Sequence, residues 1–477
     1  MKFASAFLAA FSILALPLTA QDKKPKRDVN KLDGAATLER LNSIDSWQTL
    51  FNGKDLTGWQ GDTEKYVVED GILVCQKGAK ILETEKQYSD FVFQFQFKLT
   101  ESGNNGLGIR VPSGQNAAYA GMELQILDHG GQRYISETKD GKKLTWLKPW
   151  QVHGSIYGVF PAKTGYLKPV GEWNEQTVIC IEDHVKVVLN GAVILDAYLD
   201  KLTPVDDRPH SGLKSRKGHI QFCGHSDHVE FKDIRLADFA PSTPLLKDNP
   251  DNTAPKGFST LFNGKDLEGW KGLAHKNANE RRALKGKALG EAQAAADGVM
   301  KEHWSVMDGV LTYDGKGQSL CTDKDYGDFE FYVDFKIPPG ADSGIYLRGT
   351  PQIQIWDPWD ARTKDGSTPS TPEDWVTAYR TGRNLGSGGL WNNRQASNRP
   401  LANADKKPGE WNTFLVRMVG DRVSIWLNGK LVVDRTVLEN YWDKTRTTPL
   451  PRADQIELQH HGSELFFKNL YIRELPY

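Results

Sequence analysis

Phe91-Val-Phe-Gln-Phe-Gln-Phe-Lys-Leu99 and Phe329-Glu-Phe-Tyr-Val-Asp-Phe-Lys-Ile337 are the two stretches on which the fold reading turns. The second alternates apolar and polar residues throughout, and the first does so after its opening residues. A period of two sends successive side chains to opposite faces of an extended strand, so each stretch buries one face. Outward from them, Val185-Lys-Val-Val-Leu-Asn-Gly191 and Val423-Ser-Ile-Trp-Leu-Asn-Gly429 run strands into Asn-Gly, the dipeptide that suits a two-residue hairpin turn. Many short strands broken by Gly, Asn and Pro clusters imply an all-β chain of antiparallel sandwiches.

The chain is written twice. Leu50-Phe-Asn-Gly-Lys-Asp-Leu-Thr-Gly-Trp59 returns as Leu261-Phe-Asn-Gly-Lys-Asp-Leu-Glu-Gly-Trp270, differing at a single position. Further on, Asp70-Gly71, Asp90-Phe91, Gly106, Arg110, Gly171-Glu-Trp-Asn174 and Leu189-Asn-Gly191 each recur 238 residues later. Two tandem domains follow, at residues 47–238 and 258–477, with 239–257 between them carrying four prolines from Pro241 to Pro255 and reading as a linker. Asn277 to Met300, rich in Ala, Lys, Glu and Arg, breaks the pattern as a helical insertion in the second copy.

Met1 and Lys2, the apolar run Phe3 to Leu18 and the small-residue site before Gln21 form the three-part pattern of a secretory signal over residues 1–20. The run is too short for a comfortable membrane span, so the expectation is an exported chain, periplasmic or extracellular, with no integral membrane segment. Sixty basic against sixty-one acidic residues leave no bulk field to attract nucleic acid or anionic lipid. Cys75, Cys180, Cys223 and Cys321 lack metal-ligand spacing; Cys180 and Cys223 could pair in an oxidising compartment, yet each sits in an apolar strand pattern, which favours buried free thiols.

The repeated Leu-Phe-Asn-Gly-Lys-Asp-Leu-x-Gly-Trp opening, Glu123-Leu-Gln-Ile-Leu-Asp128, Gly-Glu-Trp-Asn, Leu-Asn-Gly and the closing Phe-Lys pattern together resemble the 3-keto-disaccharide hydrolase domain family, twice over. The resemblance implies two concanavalin A-like jelly rolls and cleavage of glycosides whose sugar carries a ketone at C3.

Which residues would act is argued from the strands themselves. Glu123 and Gln125 point to one face, and regular alternation would send Asp128 to the other unless a bulge or the strand end redirects it. In Gly106-Leu-Gly-Ile-Arg110, alternation puts Gly106, Gly108 and Arg110 on one face, where glycines leave room and a guanidinium can hold an oxyanion. A C3 ketone acidifies the C2 proton, so elimination needs a base, an oxyanion partner and an acid. Glu123 or His225 is expected as base, Arg110 as oxyanion partner, and Asp128 or Tyr157 as proton donor. Trp146 and Trp150 in one copy, and Trp359 and Trp375 in the other, offer stacking faces for a pyranose. Gln125 joins them in the first copy, and Arg348, Gln354, Asp357, Gln459 and His461 are the corresponding binding candidates in the second. Trp173 and Trp411, inside a repeated motif, read as core. No metal or cofactor is required, and a divalent cation is left open. Two other readings share the fold: a non-catalytic carbohydrate-binding pair, and a β-glucanase-like glycosidase, whose two carboxyls Glu123 and Asp128 would have to supply.

Overall fold

The computed structural model describes residues 29–42, 44, 46–241, 249–350, 352–359 and 385–476. Residues 1–20, Trp375 and the linker stretch 242–248 therefore lie outside the described residues. The fold is two antiparallel β-sandwiches of the same topology. In the first, the large sheet runs, edge to edge, through Ala192–Tyr198, His184–Leu189, Trp173–Ile181, Phe91–Leu99, Val229–Asp238, Ile72–Cys75 and Tyr66–Glu69, with Gln48–Thr49 alongside Val229–Asp238. The small sheet runs through Trp59–Gly61, Ile81–Thr84, His219–Cys223, Asn104–Val111 and Met122–Leu127. Phe93, Phe95 and Phe97 from one sheet meet Phe222, Leu107, Ile109, Leu124 and Ile126 from the other, all buried. The second sandwich repeats this with Phe331, Val333 and Phe335 against Ile345, Ile353, Ile355 and Leu458.

The hairpin turns follow the sequence. Asn190 and Gly191 have φ of 48° and 79°, and Asn428 and Gly429 have 51° and 81°, the left-handed pair that a type I′ turn requires. The insertion forms two helices, Ala278–Ala283 and Gly286–His303, the first capped by the Asn277 side chain. The longer one docks on the edge strand Trp270–Gly272, where Asp297 and Gln293 bond the Gly272 backbone. All four cysteines are free and buried. Trp173 and Trp411 correct the core assignment. Each lies half-buried, Trp173 between Lys98 and Lys232, Trp411 between Lys336 and Lys468, as cation–π partners.

The opening of Phe91–Leu99 departs from alternation for a tertiary reason. Val92 and its cross-strand partner Ile179 face away from their own core and are buried with Ile181, Ala237 and Phe239 against Val419 and Leu475 of the second sandwich. The register positions matching Val92 and Ile179 in the second copy are Glu330 and Arg417, also a cross-strand pair. Arg417 is wholly buried, ion-paired to Glu330, and donates to the Phe239 carbonyl at 2.8 Å. Asp90 and Glu182 of the first sandwich stand 3.6 and 3.5 Å from the same guanidinium. Ser424 donates to Glu182 at 3.2 Å, and Arg435 pairs with Asp183 at 3.1 Å. The large sheets thus stand back to back around a buried cation, leaving both small sheets on the outside.

Candidate functional site

The small sheet of the first sandwich has one face in the core and one turned outward. On the outward face Gln60, Glu83, Gln221, Gly108 and Glu123 are register partners across the five strands, and Gly106 faces Gln125. The Glu123 side chain lies over Gly106: a Cβ there would stand 2.7 Å from both its Cγ and Cδ. This packing carries Oε1 of Glu123 to 3.1 Å from Nε2 of His225, in the turn that follows His219–Cys223. The carboxylate is 6 % exposed and the imidazole 41 %, so the histidine is the member that meets solvent. The hydrogen bond that Nε2 donates to Glu123 pushes the imidazole above its ordinary value, against the opposing effect of burial, with smaller contributions from the charges of Glu123 and Asp227. A carboxylate only accepts, so Nε2 carries the proton and Nδ1 presents its lone pair.

Around this pair the face is polar and aromatic. Gln125 is buried, yet its Oε1 has no hydrogen-bond partner among the described residues. Such an atom is costly unless a ligand or water meets it. The Tyr157 backbone donates to the Glu123 carbonyl at 2.9 Å, and its ring meets Trp150 edge-on at 5.2 Å. Burial pushes the Tyr157 phenol up, which keeps it protonated. Trp146 is 55 % exposed, rests on Tyr134 and donates to the Arg133 carbonyl at 2.9 Å. Arg133 in turn grips Asp227, two residues from His225.

Four of the expected residues are elsewhere, Arg110 and Asp128 in the first sandwich and Arg348 and Asp357 in the second. Arg110 does not share the glycine face, because the strand bulges there: Ile109 and Arg110 together stand opposite Ile220, and Arg110 has φ 52°. Its buried guanidinium binds Asp90 at 3.0 Å and the carbonyls of Ser89 and Glu182 at 2.6 Å each, so neither an oxyanion role nor a pair with Glu123 is available to it. Arg348 repeats this with Asp328 and the carbonyls of Gly327 and Gly420, which removes it from the binding candidates. Asp128 follows the end of Met122–Leu127 and accepts from the Ser102 backbone at 2.8 Å. Asp357 does the same for Gly340 and Trp359, at 2.9 Å each. Both aspartates are backbone caps, and the two-carboxylate arrangement of a conventional glycosidase loses its second member.

The outward face of the second sandwich is filled. Its corresponding row reads Lys271, Cys321, Glu457, Tyr346 and Gln352, with a tyrosine at the register position of Gly108. Gln352 donates to Gln459 and, at 3.3 Å, to Gln354, which itself donates to Asp342 at 2.6 Å, so these amides are satisfied within the sandwich. His461 is 3.8 Å from Asp342 and makes no ion pair with a glutamate among the described residues. Glu457 is pushed up to about 7 by burial. Sequence reading missed Glu83, which accepts from Ser113, Gly114, Gln221 and Gln60. Burial raises its carboxyl, but these donors outweigh burial and hold it below the usual range. It also missed the Arg133–Asp227 contact, whose partners are 94 residues apart with no local pattern to link them.

Residues 46–237 and 257–473 each match the family of 3-keto-alpha-glucoside-1,2-lyase-like domains. A 3-keto-disaccharide hydrolase from Bacteroides thetaiotaomicron is 23 % identical over 268 residues, covering 46 % of this chain and 89 % of the relative. Among solved structures, a candidate glycosyl hydrolase from Parabacteroides distasonis is 26 % identical, with a TM-score of 0.36, covering 41 % of this chain and 95 % of its own. A carbohydrate-binding module from Bacillus subtilis is 11 % identical, with a TM-score of 0.23, covering 40 % and 96 % respectively.

Proposed function

Because this chain belongs to the 3-keto-alpha-glucoside-1,2-lyase-like domain family across both sandwiches, we propose that it cleaves 3-keto-glycosides, outside the cytoplasm, and that the first sandwich performs the reaction. The observation that carries the assignment is the Glu123–His225 pair beside the unpartnered Gln125 amide, set against a second sandwich whose matching positions bond one another.

In this reading Nδ1 of His225 removes the C2 proton of the ketosugar. The electron pair of that bond forms an enediolate with the C3 carbonyl. Its collapse restores the ketone, forms the C1–C2 double bond and expels the glycosidic oxygen, which takes a proton from Tyr157. Water then adds across the double bond: the Tyr157 phenolate takes one of its protons as the hydroxyl joins C1, and the His225 imidazolium, its proton exchanged with solvent, protonates C2, so both side chains are restored and the net change is hydrolysis. Glu123 keeps the imidazole in the tautomer with Nδ1 free and stabilises the imidazolium that forms. Gln125 offers its amide to a sugar hydroxyl, while Trp150 and Trp146 supply apolar faces.

Incubation with a 3-keto-disaccharide beside its unoxidised parent, in deuterated buffer, tests the assignment. Cleavage of the keto form alone, with deuterium at C2 of the released ketosugar, is the expected result. Retention of hydrogen at C2, with exchange of the free ketone excluded, would remove elimination. Binding of both sugars without turnover would turn the chain into a carbohydrate-binding pair.

A further inference from the structure

His225 sits in a short loop, residues 224–228, between His219–Cys223 and Val229–Asp238. The loop is bent at Ser226, whose φ of 72° belongs to the left-handed region that non-glycine residues seldom adopt. The matching residue of the second sandwich is Gly462, with φ 82°, which adopts the same bend without a side chain to oppose it. A strained turn persists where its surroundings over-determine it. Here they do: Gly224 donates to the Lys80 carbonyl at 2.6 Å, and Thr100 donates to the His228 carbonyl at 3.0 Å. Between them, Arg133 forks onto Asp227 through two parallel bonds of 2.7 and 2.9 Å.

We propose that the Arg133–Asp227 pair is a positioning device for His225, holding the Ser226 bend so that the imidazole stays against Glu123. The inference rests on the proposed function in assigning His225 a chemical task, and on geometry alone for the clamp. Arg133 is itself anchored. Its backbone donates to Ser102 Oγ at 3.1 Å, the Tyr134 hydroxyl donates to the Ser102 carbonyl at 3.1 Å, and Ser102 is the residue that Asp128 caps. Asp128 therefore serves the site from a distance, through Ser102 and Arg133. A planar two-donor fork fixes orientation as well as separation, which a single ammonium contact cannot do. In the second sandwich Ser463 stands where Asp227 does, and its hydroxyl accepts from the Asp342 backbone at 3.2 Å. The forked clamp occurs in the copy that has the Glu123–His225 pair.

The charged groups facing the imidazole are Glu123 from the edge strand Met122–Leu127, Asp227 from its own loop and, through Asp227, Arg133 from the turn Gln132–Tyr134. Arg133→Ala and Asp227→Asn in the full-length chain test the proposal by two independent readouts. On a 3-keto-disaccharide, each should lower kcat about ten- to a hundredfold with KM changed less than about threefold, as expected when a catalytic group is misplaced while substrate binding stays intact. Arg133→Lys should recover only part of the loss. Nitrogen-resolved NMR of the histidine rings should show His225 titrating nearer the ordinary histidine range in both variants, while the melting temperature stays close to that of the parent. Unchanged kcat and unchanged His225 titration in Arg133→Ala would overturn the clamp, and so would a loss of activity that followed unfolding alone. If the parent protein does not cleave the ketoside but the His225 titration still moves, the functional reading fails and the clamp stands.

Discussion

Gly106→Ala tests the site without replacing any of its polar groups. The added methyl carbon would stand 2.7 Å from both Cγ and Cδ of Glu123, where ordinary contact begins near 3.4 Å, so the side chain must retreat by at least 0.7 Å. Oε1 is the Glu123 atom closest to the new carbon and also the one that holds His225 at 3.1 Å. Retreat by that amount takes the contact beyond hydrogen-bond range or turns it out of line. A displacement on the order of 1 Å at a catalytic group costs about 10²-fold in rate, or about 2.7 kcal/mol in the barrier. Stability should barely respond. Gly106 is not in the left-handed region, the obstacle is the mobile end of a side chain, and Gly→Ala at a tolerant position changes stability by about 0.4–1 kcal/mol. The assay is steady-state cleavage of a 3-keto-disaccharide beside a thermal melt, where that energy moves Tm by less than about 4 °C. Gly344→Ala is the control, since its Cβ would press on Gln352 of the filled face at 2.7 Å from Cδ and should leave turnover intact. Full activity in Gly106→Ala, or equal loss in Gly344→Ala, would refute the reasoning.

His225→Ala should cost about 10²–10⁴ in kcat, the usual worth of a positioned general base, with substrate affinity nearly unchanged in a binding assay. The base works only when neutral, so activity rises with pH through the His225 value, which Glu123 holds above the ordinary one; Glu123→Gln should move that acid limb to lower pH and reduce the plateau, and a limb that stays in place would dissociate the pair from the reaction. Arg417→Ala leaves Glu330, Asp90 and Glu182 without their shared cation and should destabilise the chain by about 3–5 kcal/mol in denaturant unfolding. For Glu182, burial pushes the folded-state value up to about 7 from 4.5. The folded form then binds the extra proton, and stability falls as pH rises from about 4.5 to about 7. Glu182→Gln should flatten that part of the stability–pH curve, and an unchanged slope would assign it to other groups.

Several features of the molecule are written in short stretches of chain. A period of two over nine residues and an Asn-Gly pair are local properties, set by backbone sterics, so they mark strands and turns without reference to anything distant. The recurrence of that pattern after 238 residues doubles the fold. The glycines at 106 and 108, with Glu123 and Gln125 on one face of their strand, likewise locate a polar face, but the open space expected over the glycines is taken by the Glu123 side chain above Gly106 and by Ala117 above Gly108. The tertiary structure decided what period-two reasoning cannot reach. One extra residue opposite Ile220 turned Arg110 off that face and into an ion pair with Asp90. The end of a strand made Asp128 a cap. Val92 and Ile179, apolar on the side that alternation leaves polar, are buried because a second sandwich stands behind them with Arg417. Arg133 and Asp227 meet across 94 residues because two loops close at the same end of one sheet. Bulges, caps and long-range pairs depend on which strands become neighbours, and that is settled by packing the whole chain around its two cores.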